Sequence, residues 1–472
     1  MNRPNIAEND VQTVIDGLMQ RARKTQSQFA KATQEQVDEA VTAIAWSLYK
    51  PENAKALAEM AVEDTGLGNV ADKITKNTRK TFGTLRDLLR VRTVGIIEEL
   101  PDKGLVKYAK PVGVVAAVTP STNPAATPVN KTMMAIKGRN AIVIAPSPAG
   151  SNTTSRVVDL MRDALAKVGQ PQDLVQVLPP PISKLSTNSL MQTCDLSVVT
   201  GSQNNVKAAY SSGKPAIGVG AGNVPVVIDS SADLDDAAEK ICASKIFDNS
   251  TSCSSENSLV ILDDVYDDAI QALQRAGGYL ATADEKDKIQ DSLWQDGKLN
   301  RHLIAKDADV FAKLTDLSDV AANAKFFMVE ETGIGSAHPF SDEKLALVLT
   351  IYRASDFNNA IETVRRVLDF KGRGHSCGIH TKDMSHAQEI AETLDVVRVL
   401  VNQAHTFGNG GGFNSGLNFT LSMGCGTWGG NSITENLNYK NFLNITHVST
   451  IIPEDKPSED ELFGNYWAKY GK

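Results

Sequence analysis

The sequence predicts an α/β protein with two doubly wound domains, plus a β-hairpin and a C-terminal strand that serve oligomerisation. Three observations predict this fold. Short apolar runs alternate with amphipathic segments from residue 113 onward, a second alternating unit follows residue 259, and two extended runs flank a turn near residue 101. At 472 residues the chain is too long for one ordinary core, so two or three domains are expected.

The N-terminal part is predicted to be helical. Apolar residues recur at helical spacing in two stretches between residues 10 and 49, and Pro51 opens a third helix that ends near residue 62. Residues 93–112 form the predicted hairpin, since turn residues separate its two extended runs. An exposed hairpin invites pairing with another chain, so we expect a homodimer or homotetramer.

The alternation that follows predicts a parallel sheet with helices on both faces. The predicted strands are 113–118, 141–145, 174–178, 196–200 and 216–219, and the predicted helices are 125–137, 153–168, 182–191 and 204–212. A ligand should lie at the carboxyl ends of such strands, where small and polar residues follow. The candidate cofactor-binding residues there are Thr119, Pro120, Pro146, Ser147, Gly201, Ser202, Gly218 and Gly220.

The second alternating unit supplies the rest of the predicted organisation. A helix over 233–247 leads into a polar loop, and the clearest later strands are 259–262, 345–351 and 399–402. The predicted domains are 1–232 for the N-terminal helices and cofactor binding, 233–425 for catalysis and 426–472 for a return segment and an oligomerisation strand, which is predicted at 446–452.

Composition narrows the function classes. A net charge of −8 and a pI near 5.5 provide no basic field for nucleic acid. Residues 1–5 show no leader pattern and no apolar run is long enough to span a membrane, so a cytoplasmic protein without a membrane partner is expected. Five widely spaced cysteines without a C-x-x-C pair predict neither disulfides nor a metal site.

Cys253 is the candidate nucleophile. It lies among small polar residues just before an apolar run at 259–262, where a strand can hold a thiol beside a pocket. A lone cysteine is more often simply buried, so the rest of the chain must support the assignment.

The assembled motifs resemble the aldehyde dehydrogenase superfamily over nearly the whole chain. They are the Asn123 segment after the first sheet strand, Gly218-x-Gly220-x-Gly222, Cys253 some thirty residues later, and Glu343-Lys344-Leu345 ahead of a strand. The stretches 206–216 and 424–431 resemble the CoA-acylating branch. Within that branch, 405–418 most resembles enzymes acting on sulfoacetaldehyde, with those acting on succinate semialdehyde next.

The lack of a water-activating glutamate supports the CoA-acylating branch. Hydrolytic members of the superfamily have a glutamate that activates water against the thioester, whereas the matching strand here begins with Gly218. A thioester on Cys253 should therefore persist until the thiol of coenzyme A attacks it.

The resemblance implies a role for each further site residue. Asn123 would stabilise the oxyanion together with the Cys253 N–H, and Glu343 would hold the nicotinamide ribose. His375 would accept the CoA thiol proton, although a structural role is equally open. Arg373, His405 and Thr406 are the candidate substrate-pocket residues. Arg398 is a second possible source of positive charge for an anionic aldehyde.

The cofactor is expected to be NADP or NAD. Many relatives carry an acid in a Lys-Pro-x-Glu motif that excludes a 2′-phosphate, but Ala145-Pro146-Ser147-Pro148 has none. Ser147 and Ser151 could bind that phosphate, and NAD is not excluded.

Alternatives stay open at this point. The aldehyde could be succinate semialdehyde or acetaldehyde in place of sulfoacetaldehyde. A Cys–His hydrolase could use Cys253 and His375, and a binding protein could retain the fold without catalysis.

Overall fold

The computed structural model describes residues 8–472, which form two parallel sheets with flanking helices and a small antiparallel sheet. Residues 1–5, in which the sequence shows no leader pattern, lie outside the described range. Among residues 8–472, no helix combines the length and the apolar character needed to cross a bilayer.

Four helices open the described chain. They are α1 (Glu8–Phe29), α2 (Gln34–Tyr49), α3 (Pro51–Thr65) and α4 (Val70–Leu89). Local sequence sets their starts, since Thr33 and Gln36 form a reciprocal capping box at α2 and Pro51 occupies the first turn of α3. The sequence analysis predicted the first three helices and missed α4.

The next elements are the hairpin and the first parallel sheet. The hairpin is β1 (Gly95–Leu100) and β2 (Leu105–Pro111); the sheet contains β3 (Val114–Val118), α5 (Ala126–Lys137), β4 (Ala141–Ala145), α6 (Ser151–Lys167), β5 (Val175–Val177), α7 (Lys184–Thr193), β6 (Leu196–Thr200), α8 (Gln203–Tyr210) and β7 (Ala216–Val219). Every residue of β3 and β4 is buried, because helices cover both faces. The strand order is β5-β4-β3-β6-β7, so the chain adds β4 and β5 on one side of β3 and then β6 and β7 on the other. This change of side between β3 and β6 places a ligand cleft at their carboxyl ends.

The second parallel sheet has seven strands, β8–β10 and β13–β16, whose ranges are β8 (Val224–Ile228), β9 (Glu256–Leu262), β10 (Gly278–Leu280), β13 (Phe326–Glu330), β14 (Val348–Ala354), β15 (Cys377–His380) and β16 (Val399–Val401). Their order in the sheet is β10-β13-β14-β9-β8-β15-β16. The remaining elements are α9 (Leu234–Ile246), α10 (Tyr266–Arg275), α11 (Ala283–Leu293), β11 (Trp294–Gln295), β12 (Lys298–Leu299), α12 (Ala308–Leu314), α13 (Phe357–Phe370), α14 (Met384–Thr393), α15 (His405–Asn409), β17 (Leu443–Ser449) and α16 (Glu459–Tyr470). Strands β11 and β12 form a separate short hairpin. The predicted α/β fold class with two doubly wound sheets is confirmed.

The change from one sheet to the other falls between β7 and β8. Strand β8 already pairs with β9, so the second sheet begins ahead of the domain boundary predicted at residue 232. The division of the chain at 232 and 425 stays a prediction.

The hairpin and the C-terminal strand form one three-stranded sheet. Strand β17 pairs antiparallel with β2, and it begins three residues before the predicted strand at 446–452. Helix α16, which follows, has no buried residue. The role of this sheet in oligomerisation stays a prediction.

Candidate active site

Three predicted site residues of the second sheet, together with Gly222, lie at the amino ends of its strands. Gly222 precedes β8, Cys253 precedes β9, Glu343 precedes β14 and His375 precedes β15. Because β8 and β9 are parallel neighbours, Gly222 lies against the nucleophile loop, and a Cβ at this position would come within 2.1 Å of the Cys253 carbonyl oxygen. The cofactor candidates other than Glu343 lie instead toward the carboxyl ends of the strands of the first sheet.

A strained turn leads into Cys253. Asp248, Asn249 and Ser250 have φ angles of 49°, 52° and 61°, a left-handed conformation that three consecutive non-glycine residues adopt only when the surroundings enforce it. The fully buried Asp248 carboxylate accepts from the ammonium groups of Lys73 at 3.1 Å and Lys76 at 2.5 Å. Burial acts to raise the pKa of Asp248, but both lysines outweigh it and hold the pKa below its usual value.

We expect Asp248→Asn to lower the free energy of unfolding by about 3–5 kcal/mol, the typical cost of removing one partner from a buried ion pair. The amide keeps the shape of the carboxylate but leaves both lysines without a counter-charge. The shift in the urea unfolding midpoint measures the loss. Asp235→Asn is the control, since its partner Arg275 is exposed and the change should be too small to resolve. Equal midpoints for the two variants would contradict this role of Asp248.

Cys253 opens into a cavity of about 310 Å³. Its side chain is partly exposed to this space, and its backbone N–H has no acceptor among residues 8–472. Burial and then the negative charge of Glu343 raise the pKa of the thiol to about 12. The resting thiol is therefore protonated, and the attack on a carbonyl requires a group that removes its proton.

Asn123 lines the same cavity. Its amide nitrogen donates a single long hydrogen bond, to Thr122 Oγ1 at 3.3 Å, which leaves donor capacity for a ligand. A free backbone N–H and a free amide N–H in the cavity of one sulfur are the donors that an oxyanion requires.

Glu343 is the single carboxylate among the described residues that line this cavity. Burial raises its pKa to about 7, so both protonation states are populated near neutral pH. A carboxylate of this kind can accept a ribose hydroxyl or take up a thiol proton.

His375 and His405 lie behind the cavity wall, and neither lines it. Ser376 Oγ bridges them, at 2.7 Å from His375 Nδ1 and 2.9 Å from His405 Nε2. His375 Nε2 has no partner in the described part of the chain, and burial holds the pKa of the ring well below its usual value. The neutral ring can accept a proton, but no hydrogen bond joins it to the Cys253 sulfur, which disfavours a Cys–His hydrolase.

A second cavity of about 700 Å³ lies at the carboxyl ends of β3, β4 and β6. Six of the predicted cofactor residues line it: Thr119, Pro120, Pro146, Ser147, Gly201 and Ser202. It shares four lining residues with the cavity of Cys253, so an extended ligand can run from one into the other; they are Pro120, Thr200, Gly201 and Ser202. The buried Thr119 Oγ1 has no partner within residues 8–472, which fits a site built for a polar ligand.

The chain matches the family model described as "Aldehyde dehydrogenase family" over residues 5–292. It is 51% identical to the sulfoacetaldehyde dehydrogenase (acylating) of Cupriavidus necator strain H16, over 97% of this chain and 93% of that protein. The chain belongs to the aldehyde dehydrogenase family.

A further relative of this aldehyde dehydrogenase is the succinate-semialdehyde dehydrogenase (acetylating) of Clostridium kluyveri, with 37% identity over 95% of this chain and 99% of that protein. These relatives confirm the predicted family and its acylating branch.

Solved structures agree with this assignment. The acetylating aldehyde dehydrogenase from Geobacillus thermoglucosidasius superposes with a TM-score of 0.92 at 33% identity, over 96% of this chain and 100% of that one. Propionaldehyde dehydrogenase of Rhodopseudomonas palustris, with bound propionyl-CoA, superposes with a TM-score of 0.83 at 26% identity, over 92% of this chain and 94% of that one. An engineered glycolyl-CoA reductase with bound NADP+ superposes with a TM-score of 0.83 at 25% identity, over 92% of this chain and 96% of that one.

Four predicted site residues of this aldehyde dehydrogenase line neither cavity. Gly218 packs against Tyr210, whose hydroxyl accepts the Gly218 N–H at 2.9 Å. His375 and His405 lie behind the cavity wall. Arg373 lies at the surface, where Asp395 and Asp369 neutralise its guanidinium, so it supplies no charge to the pocket.

Arg398 is buried and is held by both terminal nitrogens of its guanidinium, while its Nε has no partner among the described residues. Its guanidinium donates to the carbonyl oxygens of His375 and Gly424 and to the side chain of Asn436. It therefore joins β16 to the loops around it. Thr406, in contrast, lines the cavity as predicted.

The sequence analysis missed the cations that do line the cavity. Lys76, Arg79 and Lys80 all belong to α4, the helix that was not predicted. The repeated lysines of 73, 76 and 80 are spaced by three and four residues, and this spacing places them on one helix face.

Proposed function

We propose that the protein catalyses the CoA-dependent oxidation of sulfoacetaldehyde to sulfoacetyl-CoA with NADP. The observation that carries this proposal is a cavity that combines a thiol and two free oxyanion donors, in a chain half identical to an acylating sulfoacetaldehyde dehydrogenase. The absence of a glutamate at Gly218 supports acyl transfer to a thiol rather than to water.

The chemistry begins with the Cys253 thiolate, which attacks the aldehyde carbonyl. The resulting oxyanion is stabilised by the Asn123 amide and the Cys253 N–H. NADP, when bound, supplies the hydride acceptor. Loss of hydride from the former aldehyde carbon leaves a thioester on Cys253, and attack by the CoA thiolate releases acyl-CoA and restores the free Cys253 thiolate.

Proton transfer needs two acceptors. Glu343 lines the cavity and is half ionised near neutral pH, which suits it to accept the Cys253 proton or a ribose hydroxyl. His375 lies behind the cavity wall, and its Nε2 has no partner among the described residues, so this nitrogen is free to accept the CoA thiol proton. The role proposed for Glu343 rests on its protonation state and its place in the cavity, whereas that of His375 rests on the unpartnered nitrogen alone.

The preference for NADP is inferred from the second cavity. Its lining contains no acidic residue, but it contains Lys184 and Arg301 beside Ser147 and Ser183. Neither cation has an ion-pair partner in the described part of the chain, so a 2′-phosphate would meet uncompensated positive charge and hydroxyl donors.

We also propose a cytoplasmic homodimer or homotetramer. All five cysteines are free, as expected in a reducing compartment. Val448, Ile451 and Ile452 are exposed apolar residues in and after β17, at an open sheet edge.

A substrate screen tests the function. We expect rapid NADPH formation, measured by absorbance, only when sulfoacetaldehyde, NADP and CoA are all present. Without CoA we expect a burst of about one NADPH per active site, because acyl-Cys253 accumulates. NAD, succinate semialdehyde and acetaldehyde are the matched comparisons. Sustained turnover without CoA would contradict the acyl-transfer assignment. A preference for NAD would contradict the cofactor assignment, and a preference for another aldehyde would contradict the substrate assignment.

A further inference from the structure

Helix α4 gives one wall of the Cys253 cavity a positive charge. Lys76, Arg79 and Lys80 line this cavity, whereas no residue of α4 lines the cofactor cavity. The cations therefore lie on the substrate side of the site and are separate from the cofactor side. This helix lies outside every motif that carried the functional assignment.

Two of the three charges are uncompensated. Lys76 is neutralised by Asp248. Arg79 forms no ion pair within residues 8–472, and its guanidinium lies about 5.4 Å from the ring centroids of both Phe407 and Phe419. Lys80 is buried, and its ammonium donates to the carbonyl oxygen of Gly410 at 2.7 Å but has no carboxylate partner among these residues.

Uncompensated charge at a buried site is costly unless an anion arrives to neutralise it. Burial, and then repulsion from Arg79 and Lys76, lowers the pKa of Lys80 to about 7. The thiolate form of Cys253 would raise the pKa of Lys80, so Lys80 and the nucleophile are within electrostatic range. An anion bound here would thus lie close to the reacting sulfur.

A hydroxyl in the same wall is also without a partner. Thr406 lines the cavity, only 7% of its surface is exposed, and its Oγ1 makes no hydrogen bond in the described part of the chain. Buried hydroxyls are usually satisfied, so this donor points to a ligand.

We propose that Arg79, Lys80 and Thr406 bind the anionic group of the aldehyde and make the enzyme selective for a sulfonate. This inference rests on the proposed function and names the residues by which the enzyme recognises its substrate. A sulfonate stays ionised at physiological pH and presents three oxygens, one for each of these donors. In sulfoacetaldehyde only one carbon separates the sulfonate from the carbonyl, which matches an anion site and a nucleophile in one small cavity.

The test compares Arg79→Gln with Arg86→Gln. Arg86 belongs to the same helix and contacts the Phe419 ring at 5.0 Å, but it pairs with Asp87 and does not line the cavity. For Arg79→Gln we expect the ratio of kcat/KM for sulfoacetaldehyde to that for acetaldehyde to fall about 100-fold, because the sulfonate loses a charged partner that acetaldehyde never uses. Arg79→Lys should recover part of the ratio, and Arg86→Gln should leave it unchanged.

A binding measurement makes the inference independent of turnover. Ethanesulfonate, an unreactive anion, should slow the alkylation of Cys253 by iodoacetamide, followed by mass spectrometry of the Cys253 peptide. Arg79→Gln should require about ten times more ethanesulfonate for equal protection. Equal protection of the wild type and of Arg79→Gln by ethanesulfonate would refute the anion site. An equal fall in kcat/KM for sulfoacetaldehyde and for acetaldehyde in Arg79→Gln would refute it as well. Failure of the wild type with every aldehyde, with protection still dependent on Arg79, would refute the proposed function alone.

Discussion

Cys253→Ala is expected to abolish CoA-dependent aldehyde oxidation, with a loss in kcat of about four orders of magnitude or more, as is typical when a covalent nucleophile is removed. No other cysteine can replace it, because none of the other four cysteines lines the cavity that also holds Asn123 and Glu343. Steady-state NADPH formation measures the loss, and mass spectrometry should find no acyl adduct on the variant.

Cys194→Ala is the matched control for this experiment. Cys194 is fully buried in the first domain, where its sulfur contacts the carbonyl oxygen of Met191 and burial raises the pKa of the thiol. This variant should retain wild-type turnover. Equal activity of the two variants would remove the thioester mechanism.

Asn123→Ala is expected to reduce kcat by about two to three orders of magnitude, the usual cost of one oxyanion donor. The loss should appear in kcat more than in KM, because the donor acts mainly on charge that develops in the transition state. Asn123→Asp should be at least as inactive, since a carboxylate repels the oxyanion. Single-turnover measurements of hydride transfer report on this step directly.

Asn152→Ala serves as its control. Asn152 is exposed, bonds Asp64 and lines neither cavity, so its loss should leave kcat unchanged. A negligible effect of Asn123→Ala would contradict the oxyanion role and would leave the Cys253 N–H as the remaining donor.

The first sheet was predictable because its signal is local. Strands β4, β6 and β7 have the predicted bounds, since β4 and β6 are short apolar runs between amphipathic helices and β7 is a short apolar run that follows one. The residues after the strands lie in a ligand cavity for the same reason, because parallel strands bring their carboxyl ends to one edge.

Helix α4 could not be recognised by the same reasoning. Its buried residues include Lys73, Lys76 and Lys80, which a sequence pattern assigns to a solvent-exposed face. They are buried because Asp248 and Gly410, some 170 and 330 positions away, supply the partners. Such long-range pairing has no signal in a single sequence.

The same limit explains the error over Arg373. Its neighbourhood in the sequence resembles a site motif, but Asp395 neutralises it at the surface. Whether a cation is free or paired depends on the tertiary structure, so composition around a motif could not separate Arg373 from Arg79. The left-handed turn at Asp248 is a further case, because it needs the lysines of α4 to hold it.

The three-stranded sheet also has a consequence for biosynthesis. Asn444 bonds the carbonyl oxygen of Pro111 across 333 positions of the chain. A ribosome adding about 5–20 residues per second needs about 20–70 s to cover that stretch. Until β17 emerges, the outer edge of β2 remains open to neighbouring nascent chains, so translation is the period in which strand pairing between molecules is hardest to avoid.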